Sequence, residues 1–428
     1  MTTDAMPRPP SPLTLRAEPF GGILFDAADG THVELDHAAY LVARDWLRGT
    51  RSVFSEEERA LLADLRSQVA NFRDQSVVVQ EPAPRTPPSL GLAHATVLSA
   101  PTLIDFQVTH RCNVGCPHCY ASSSPRGDHV SLADARRVLA QASRLGVCQV
   151  ALGGGEPLLH PDILAIIRHA RSLGMVPNLT TTGLTLDRET LDVLHQCCGA
   201  VALSLEALDT AFTRRRRSGF AAFEVALQTL LNRGIPTVLQ VTLSAQTLPD
   251  LPRLVDYALR FPLYGVIFLA YKPVGRGHGF DHPLSVLDAQ TVRAALRDAL
   301  ERLMPHTKVG YDCCLAPSVA GVDQARGAPV AHLVEGCSAA RSSVGVTPEL
   351  DVVACTFLPG LPLGNLHHQD LAQVWDAQPA QLFRRRLDAQ VEDRAGCRAC
   401  TYRRGCLGGC PAWDLVPCTV TAQAKEAE

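Results

Sequence analysis

A chain of 428 residues with 40 Lys+Arg, 43 Asp+Glu and a net charge of −3 is long enough for two or three domains, and it carries no field that would draw it to nucleic acid or an anionic membrane. No run approaches the apolar length of a membrane span, and the opening MTTDAMPRPPSP has neither the basic nor the apolar segment of a secretory signal. Fifteen cysteines without an export signal point to a reducing, cytoplasmic setting and to metal rather than disulfides.

Residues 12–80 predict a small, winged-helix-like α+β unit. GGILFDA and HVELD are strand-like and meet across Asp29-Gly30, a dipeptide suited to a tight hairpin. HAAYLVARDWLRG follows, apolar at Tyr40, Leu41, Trp46 and Leu47 and stopped by Gly49. Ser55 and Glu58 form the S-x-x-E signature that opens a second helix, SEEERALLADLRSQ. Residues 81–101 are proline-rich and unpatterned, a linker of some stiffness. From 102 to 305 the β-branched runs LIDFQVT, CQVALGG, VPNLTTTG, AVALSLEA, TVLQVTLS and GVIFLAYK alternate with amphipathic segments, one opened by Ser131 and stopped by Gly146. Six β/α repeats predict an α/β fold with a partial barrel, short of the eight of a closed one. Residues 306–420 dissolve into cysteine-, glycine- and proline-rich loops with one helical patch at LAQVWDA. Such a region needs added cohesion to fold, and metal clusters would supply it.

In a β/α barrel, function gathers at the C-terminal ends of the strands. Cys112, Cys116 and Cys119 follow the first strand as C-x3-C-x2-C. Three thiolates can hold three corners of a cubane iron–sulfur cluster and leave one iron open, whereas a structural zinc site wants four closed ligands. GGGEP (153–157) follows the second strand, TTTG (180–183) the third, and Ser204-Leu205-Glu206 closes the fourth. Thr242 and Ser244 end the fifth, and YKPVGRG (271–277) follows the sixth. Cys148, Cys197 and Cys198 fall in strand or helix patterns and read as packing residues.

C-x3-C-x2-C followed one β/α unit later by GGGEP resembles the radical SAM superfamily, in which S-adenosylmethionine (SAM) chelates the open iron of a [4Fe–4S] cluster. The resemblance implies that Cys112, Cys116 and Cys119 ligate that cluster. It further implies that Gly154, Gly155 and Glu156 meet the SAM methionine, with the Glu156 carboxylate on its amino group and Thr181 close by. Ser204 and Glu206 would lie at the ribose, although Asp is more usual at the second position. His118 stands where the family has an aromatic near the adenine. The arginine run 214–217 reads either as a solvated helix start or as a source of the SAM carboxylate partner, with Arg217 favoured.

Further on, Cys397, Cys400, Cys406 and Cys410 are spaced C-x2-C-x5-C-x3-C, with Cys418 after them and Cys337 and Cys355 before. Together with LPLGNLHHQDLAQVWD they resemble the SPASM extension of radical SAM enzymes, which implies two auxiliary [4Fe–4S] clusters. Cys337, Cys355 and Cys410 would ligate the first, and Cys397, Cys400, Cys406 and Cys418 the second. One departure is Leu350, where the family often has a glycine five residues before the second cysteine. Cys313 and Cys314 are open: either is a candidate fourth ligand of the first auxiliary cluster, or both are bystanders and an iron stays open. Paired zinc knuckles are the competing reading of these cysteines.

SPASM-containing enzymes mostly modify peptides and proteins, so the resemblance implies a peptide maturase that cleaves SAM reductively and installs a thioether, carbon–carbon or related bond on a ribosomally made precursor. Its partners would be that precursor and an electron donor such as flavodoxin or ferredoxin, with neither nucleic acid nor membrane. Alternatives are an anaerobic sulfatase-maturing type that forms formylglycine, a tetrapyrrole-modifying SPASM enzyme and, in another class, a non-catalytic zinc-binding adaptor. Residues 12–80 resemble the PqqD-like domains that take a precursor's leader as an added strand. HVELD would be the receiving edge, with Trp46 or Tyr40 lining the groove beside it. The competing reading is a small cap that only packs on the barrel.

Overall fold

The computed structural model describes residues 13–73, 79–83, 97–216, 219–320, 335–418 and 420. The first sheet contains β1 (Leu13–Glu18), β2 (Gly21–Asp26), β3 (His32–Asp36) and β4 (Val79–Gln80) in the order β3-β2-β1-β4. β2 and β3 are the expected hairpin, and β1 pairs antiparallel with β2 on its other side. α1 (His37–Leu47) is capped by Asp36, whose carboxylate accepts the Ala39 amide at 2.8 Å. α2 (Glu56–Gln68) carries the full capping box, Glu58 N–H to Ser55 Oγ at 3.2 Å and Ser55 N–H to Glu58 Oε2 at 2.7 Å. Trp46 is a core residue here: it stacks on Phe72 at 4.6 Å, is only 7% exposed, and so does not line an open groove.

Six parallel strands form the barrel wall: β5 (Leu103–Thr109), β6 (Gln149–Gly154), β7 (Val176–Thr181), β8 (Val201–Ser204), β9 (Thr237–Leu243) and β10 (Gly265–Ala270). They pair in chain order because α3 (Leu132–Arg144), α4 (Ile163–Ser172), α5 (Arg188–Cys197), α6 (Asp209–Arg216), α7 (Phe220–Asn232), α8 (Leu251–Ala258) and, beyond β10, α9 (Ala289–Leu303) return the chain each time. Among the described residues no helix is long and apolar enough to cross a membrane.

The expectation of loops beyond residue 310 needs correction. β11 (Lys308–Tyr311) adds parallel to β10, while β12 (Ser343–Val346) adds parallel to β5 at the opposite edge. β13 (Asp351–Val353) and β14 (Pro362–Asn365) extend that edge antiparallel, giving a ten-stranded sheet open from β11 to β14. α10 (Ala316–Val319), α11 (Leu371–Asp376) and α12 (Gln378–Asp393) complete the region. Val344, Val346, Val352, Leu363, Trp375, Phe383 and Leu387 belong to one core with the barrel residues Ile104, Phe106 and Val150. Shared apolar burial therefore supplies cohesion that was expected from metal alone.

The small sheet sits on the N-terminal ends of the barrel strands. Arg16, 3% exposed, donates to the carbonyls of Ala100, Pro101 and Gly146 at 2.9–3.0 Å and pairs with Glu18 at 2.7 Å. Glu18 in turn accepts the Ser99 amide at 2.7 Å. The β2–β3 turn, Ala27 to Thr31, faces Pro236, Tyr264 and Lys308 across a polar cavity of about 240 Å³.

Candidate functional site

At the other end of the barrel, the loop between β5 and α3 carries Cys112, Cys116 and Cys119; the first two are each 8% exposed. Three neighbouring segments fix its path. Cys112 N–H bonds the Ser124 carbonyl at 2.9 Å. Arg276, in the loop after β10, donates from Nε to the Cys116 carbonyl at 3.1 Å and from Nη1 to Ser123, while its own amide bonds the Cys119 carbonyl at 3.0 Å. Gly275 has φ +60°, and a Cβ there would lie 2.2 Å from the Tyr120 carbonyl, so only glycine lets the two loops close. Arg276 is thus a site residue that sequence reasoning missed. Its signal was the run of glycines flanking a single arginine at a strand's C-terminal end.

GGGEP packs against the same loop. Gly155 N–H bonds the Thr109 carbonyl at 2.7 Å and Glu156 N–H the Arg111 carbonyl at 2.8 Å. A Cβ on Gly154 or Gly155 would come within 2.2 Å of those carbonyls, whereas Gly153 faces open space. The close approach that requires these two glycines is therefore to the backbone at the end of β5 and just beyond it, at Thr109 and Arg111. Glu156, 2% exposed, accepts from Thr181 Oγ1 (2.6 Å), Thr182 Oγ1 (2.6 Å), Thr182 N–H (2.7 Å) and Leu158 N–H (3.1 Å). Four internal donors take up the lone pairs of a carboxylate, so Glu156 ties the β6 and β7 loops together instead of standing open for an ammonium. Ser204 ends β8, and Glu206 beyond it reaches His118 at 3.5 Å. Phe280 lies 6.0 Å from the His118 ring and 5.8 Å under the Arg215 guanidinium. Arg215 pairs with buried Asp281 at 3.2 Å, and Ser244 Oγ donates to the same carboxylate oxygen at 2.5 Å. Arg217 lies outside the described residues.

The C-terminal cysteines gather in two groups. Cys397, Cys400, Cys406 and Cys418 act electrostatically on one another and line a cavity of about 340 Å³. Cys337, Cys355 and Cys410 gather with Cys313 and Cys314: Cys313 hydrogen-bonds Cys314 and Cys337, and Cys314 hydrogen-bonds Cys410. Burial pushes the Cys355 and Cys406 thiols up to about 12, while the Cys314 hydrogen bond draws Cys410 down to about 7. Leu350 adopts φ +65°, the left-handed backbone a glycine would favour, while its side chain is 1% exposed. The β12–β13 turn thus bends as a glycine turn would.

Between the three-cysteine loop and the five-cysteine group lies a buried layer. Lys272 Nζ pairs with Asp312 and sits 4.2 Å over the Phe357 ring, which packs tilted against Tyr120 at 4.3 Å. Gln107 Nε2 donates to Tyr120 Oη at 3.2 Å, and Thr356 Oγ1 donates to Asp105 at 2.6 Å. Burial raises Asp105 above the usual carboxylate range. Burial works against the Lys272 charge, yet Asp312 and the neighbouring Cys314 hold its ammonium above its ordinary value.

The sequence matches the family model of the Radical SAM superfamily over residues 106–258 and that of the SPASM iron–sulfur cluster-binding domain over 337–401. It contains a radical SAM domain and a SPASM domain. The radical SAM match begins inside β5 and covers the cysteine loop and GGGEP; the SPASM match runs from Cys337 to Thr401. Among curated proteins, a PqqA peptide cyclase of Methylobacterium nodulans is 28% identical over 342 residues, 73% of this chain and 82% of that one. An AdoMet-dependent heme synthase of Methanosarcina barkeri is 25% identical over 330 residues, 72% and 91% of the two chains. The crystal structure of Streptococcus suis SuiB bound to its precursor peptide SuiA shares the fold with a TM-score of 0.67 at 17% identity, covering 93% of this chain and 94% of that one.

A SAM-binding [4Fe–4S] cluster, auxiliary clusters and SAM are thus this chain's cofactors, and the zinc-adaptor alternative falls. The donor sets fit them. Three buried or half-buried thiols share one loop whose carbonyls are held by Arg276, and six more, Cys397, Cys400, Cys406 and Cys418 among them, line a single cavity. Among the described residues no three His, Cys, Asp or Glu side chains converge on a single ion. A cubane asks for no such convergence, since each thiolate takes a different iron.

Proposed function

We propose that this chain is a peptide maturase that oxidatively modifies a ribosomally made precursor, forming a thioether, carbon–carbon or related bond. The single observation that carries the peptide part is the outer edge of β3, which among the described residues pairs only with β2 and ends its sheet. Its short HVELD sequence, mostly exposed, has the charged side chains of a managed edge. A leader segment added there gains backbone hydrogen bonds for affinity and alternate side-chain positions for register. The names of the PqqA cyclase and of the SuiA-bound SuiB structure support the same substrate class. A tetrapyrrole substrate would leave the β3 edge without a task.

When bound, the SAM-binding cluster would supply the reductive cleavage of SAM, and the auxiliary clusters would offer an outlet for the electron left over from bond formation. The residues around that chemistry bind, orient and exclude water. Cys112, Cys116 and Cys119 hold the SAM-binding cluster, and Arg276 fixes their loop. Ser204 and Glu206 are assigned to the SAM ribose and His118 to the adenine side. Gly153 offers the open backbone face of GGGEP, while Gly154, Gly155, Glu156 and Thr181 keep that loop in place. Arg215 is committed to Asp281, and among the other arginines of the run 214–217 Arg217 remains the favoured partner of the SAM carboxylate. Cys397, Cys400, Cys406 and Cys418 hold the second auxiliary cluster, and Cys337, Cys355 and Cys410 belong to the first. Low-potential electrons would come from a small protein such as flavodoxin or ferredoxin, in a cytoplasm reducing enough to keep every cysteine free.

The test is anaerobic incubation with the short peptide encoded beside this gene, SAM and a reductant. The expected product is a peptide lighter by about two hydrogen masses per bond formed. A chain that cleaves SAM and leaves every such peptide unchanged in mass refutes the reading.

A further inference from the structure

The N-terminal sheet is fixed to the barrel floor at two separate points. At the first, Arg16, opposite Ile23 on the neighbouring strand, donates to the carbonyls of Ala100, Pro101 and Gly146. Beside it Glu18 accepts from the amide and the hydroxyl of Ser99 at 2.7 and 3.0 Å. Gly146 permits the approach, since a Cβ there would lie 2.4 Å from Pro82 Cγ and 3.0 Å from Arg16 Cδ. At the second point, Arg171 near the end of α4 donates from Nη1 to the Ala27 carbonyl at 2.6 Å. There Phe25 and Ala27 share a buried apolar cluster with Cys148 and Val176, where β6 and β7 begin. Ile23 and Ala27 are separated by about 13 Å of extended chain.

A single attachment leaves a domain free to swing, which is the usual state of two domains in one chain. Two attachments that far apart remove the swing. A planar guanidinium that meets carbonyls from two separate segments also removes sliding, because its donors have fixed directions. The β3 edge is therefore held at a constant distance from the cysteine loop, with the barrel between them. β5, the seven residues Leu103–Thr109, is about 20 Å long and, with barrel strands tilted by about 36°, gives about 16 Å of height. An extended chain covers that height with no fewer than about five residues.

We propose that Arg16, Glu18 and Arg171 are positioning residues that make this chain a ruler for its substrate: the precursor must carry at least about five residues between the segment docked on β3 and the residue that is modified. This rests on the peptide-maturase reading and names the feature of the precursor that decides which residue is reached. Below the limit the target falls short of the cysteine loop however tightly the leader binds. Above it a flexible connector only dilutes the target, and each doubling of its length lowers modification about threefold.

The test uses the full-length, cluster-loaded chain and variants of the short peptide encoded beside this gene. Hydrogen exchange maps the docked segment, and the connector from there to the modified residue is cut to about three residues or lengthened with Gly-Ser repeats. Fluorescence anisotropy reads binding, and fragment mass spectrometry reads the site of modification. All variants should bind alike, the short ones should be unmodified or modified nearer their C-terminus, and the long ones should fall about threefold per doubling. In Arg16→Met with Glu18→Gln, and separately in Arg171→Met, SAM cleavage and binding should persist while the lower limit shortens, because the sheet can swing toward the rim. A purely structural role would lower yield and leave the limit where it was. Full modification of short-connector peptides by the wild type, or an unchanged limit in the latch variants, overturns the proposal; should one latch variant not fold, the other decides. A wild type that binds and modifies no peptide refutes the maturase reading and the ruler with it, whereas one that modifies short and long peptides alike refutes the ruler alone.

Discussion

Tyr120 packs against Phe357 with ring centroids 4.3 Å apart and the planes tilted by 39°. The first residue follows the last cysteine of the radical SAM loop, and the second lies two positions after Cys355 of the auxiliary group. Their contact joins the two redox regions through side chains alone, with the Lys272 ammonium 4.2 Å over the far ring. On the proposed reading, a carbon activated near Tyr120 would lie one aromatic layer from the auxiliary cysteines.

Phe357→Ala opens that layer without removing a ligand. SAM cleavage should persist while modified peptide falls at least about tenfold, measured as the ratio of 5′-deoxyadenosine to product, because about 1.4 kcal/mol of lost positioning already gives that factor. An unchanged ratio would show that the ring contact is not on the route.

Replacing Cys112, Cys116 and Cys119 together by Ala should lower iron from about twelve to about eight per chain and abolish 5′-deoxyadenosine formation. Iron analysis with a reductant-driven SAM cleavage assay checks both. Full cleavage in this variant is incompatible with the assignment.

Gly275→Ala places a methyl 2.2 Å from the Tyr120 carbonyl at a φ of +60°. The strain of roughly 1–3 kcal/mol is relieved only if the cysteine loop shifts. We expect the SAM-binding cluster to be under-loaded while the auxiliary signals stay normal.

Leu350→Gly relieves about 1 kcal/mol of left-handed strain but removes a side chain buried to 1% exposure, worth about 2–5 kcal/mol. The net expectation is a lower melting temperature, even though the family often has glycine here. A stabilised variant would mean that the turn, and not the buried side chain, governs this position.

His160 gives the acid limit. Burial lowers its pKa, with Nε2–H donating to the Val130 carbonyl at 2.8 Å and Nδ1 accepting the Asp162 amide at 3.0 Å, so the folded chain prefers the neutral ring. Below the ordinary value of about 6.5 the unfolded chain binds the extra proton. The contribution of His160 is therefore complete above that pH and is lost as pH falls below it. The melting temperature should drop more steeply between about pH 6.5 and 5 in the wild type than in His160→Asn. Parallel curves would exclude this group as the cause.

The hairpin, the capped helices and the six β/α units were legible because each follows a local rule: a turn dipeptide, a capping box, a β-branched run, a glycine stop. β1 was not. Its LTLRAE carries Arg16 and Glu18, whose charges look solvent-facing until the carbonyls of Ala100, Pro101 and Gly146 bury the guanidinium. α12 was hidden for a similar reason: Ala380, Phe383, Leu387 and Val391 form a helical stripe, but the run Arg384–Arg386 breaks its apparent polarity, and Arg384 is in fact fully buried. Among the site residues, the cysteines were visible by spacing. Arg276 and the layer of Asp105, Tyr120, Lys272 and Phe357 were not, because they come together only when loops separated by about 85 to 250 positions close on one another.

β12 has one further consequence. The first barrel strand, Leu103–Thr109, receives its outer neighbour only when residues 343–346 arrive, some 240 positions later in the chain. Until the ribosome has released that segment, LIDFQVT stands as a bare, largely apolar edge, the kind that recruits other chains. A product truncated before β12 is therefore expected to aggregate during synthesis, and the catalytic half cannot be had as a soluble fragment by cutting at the domain boundary.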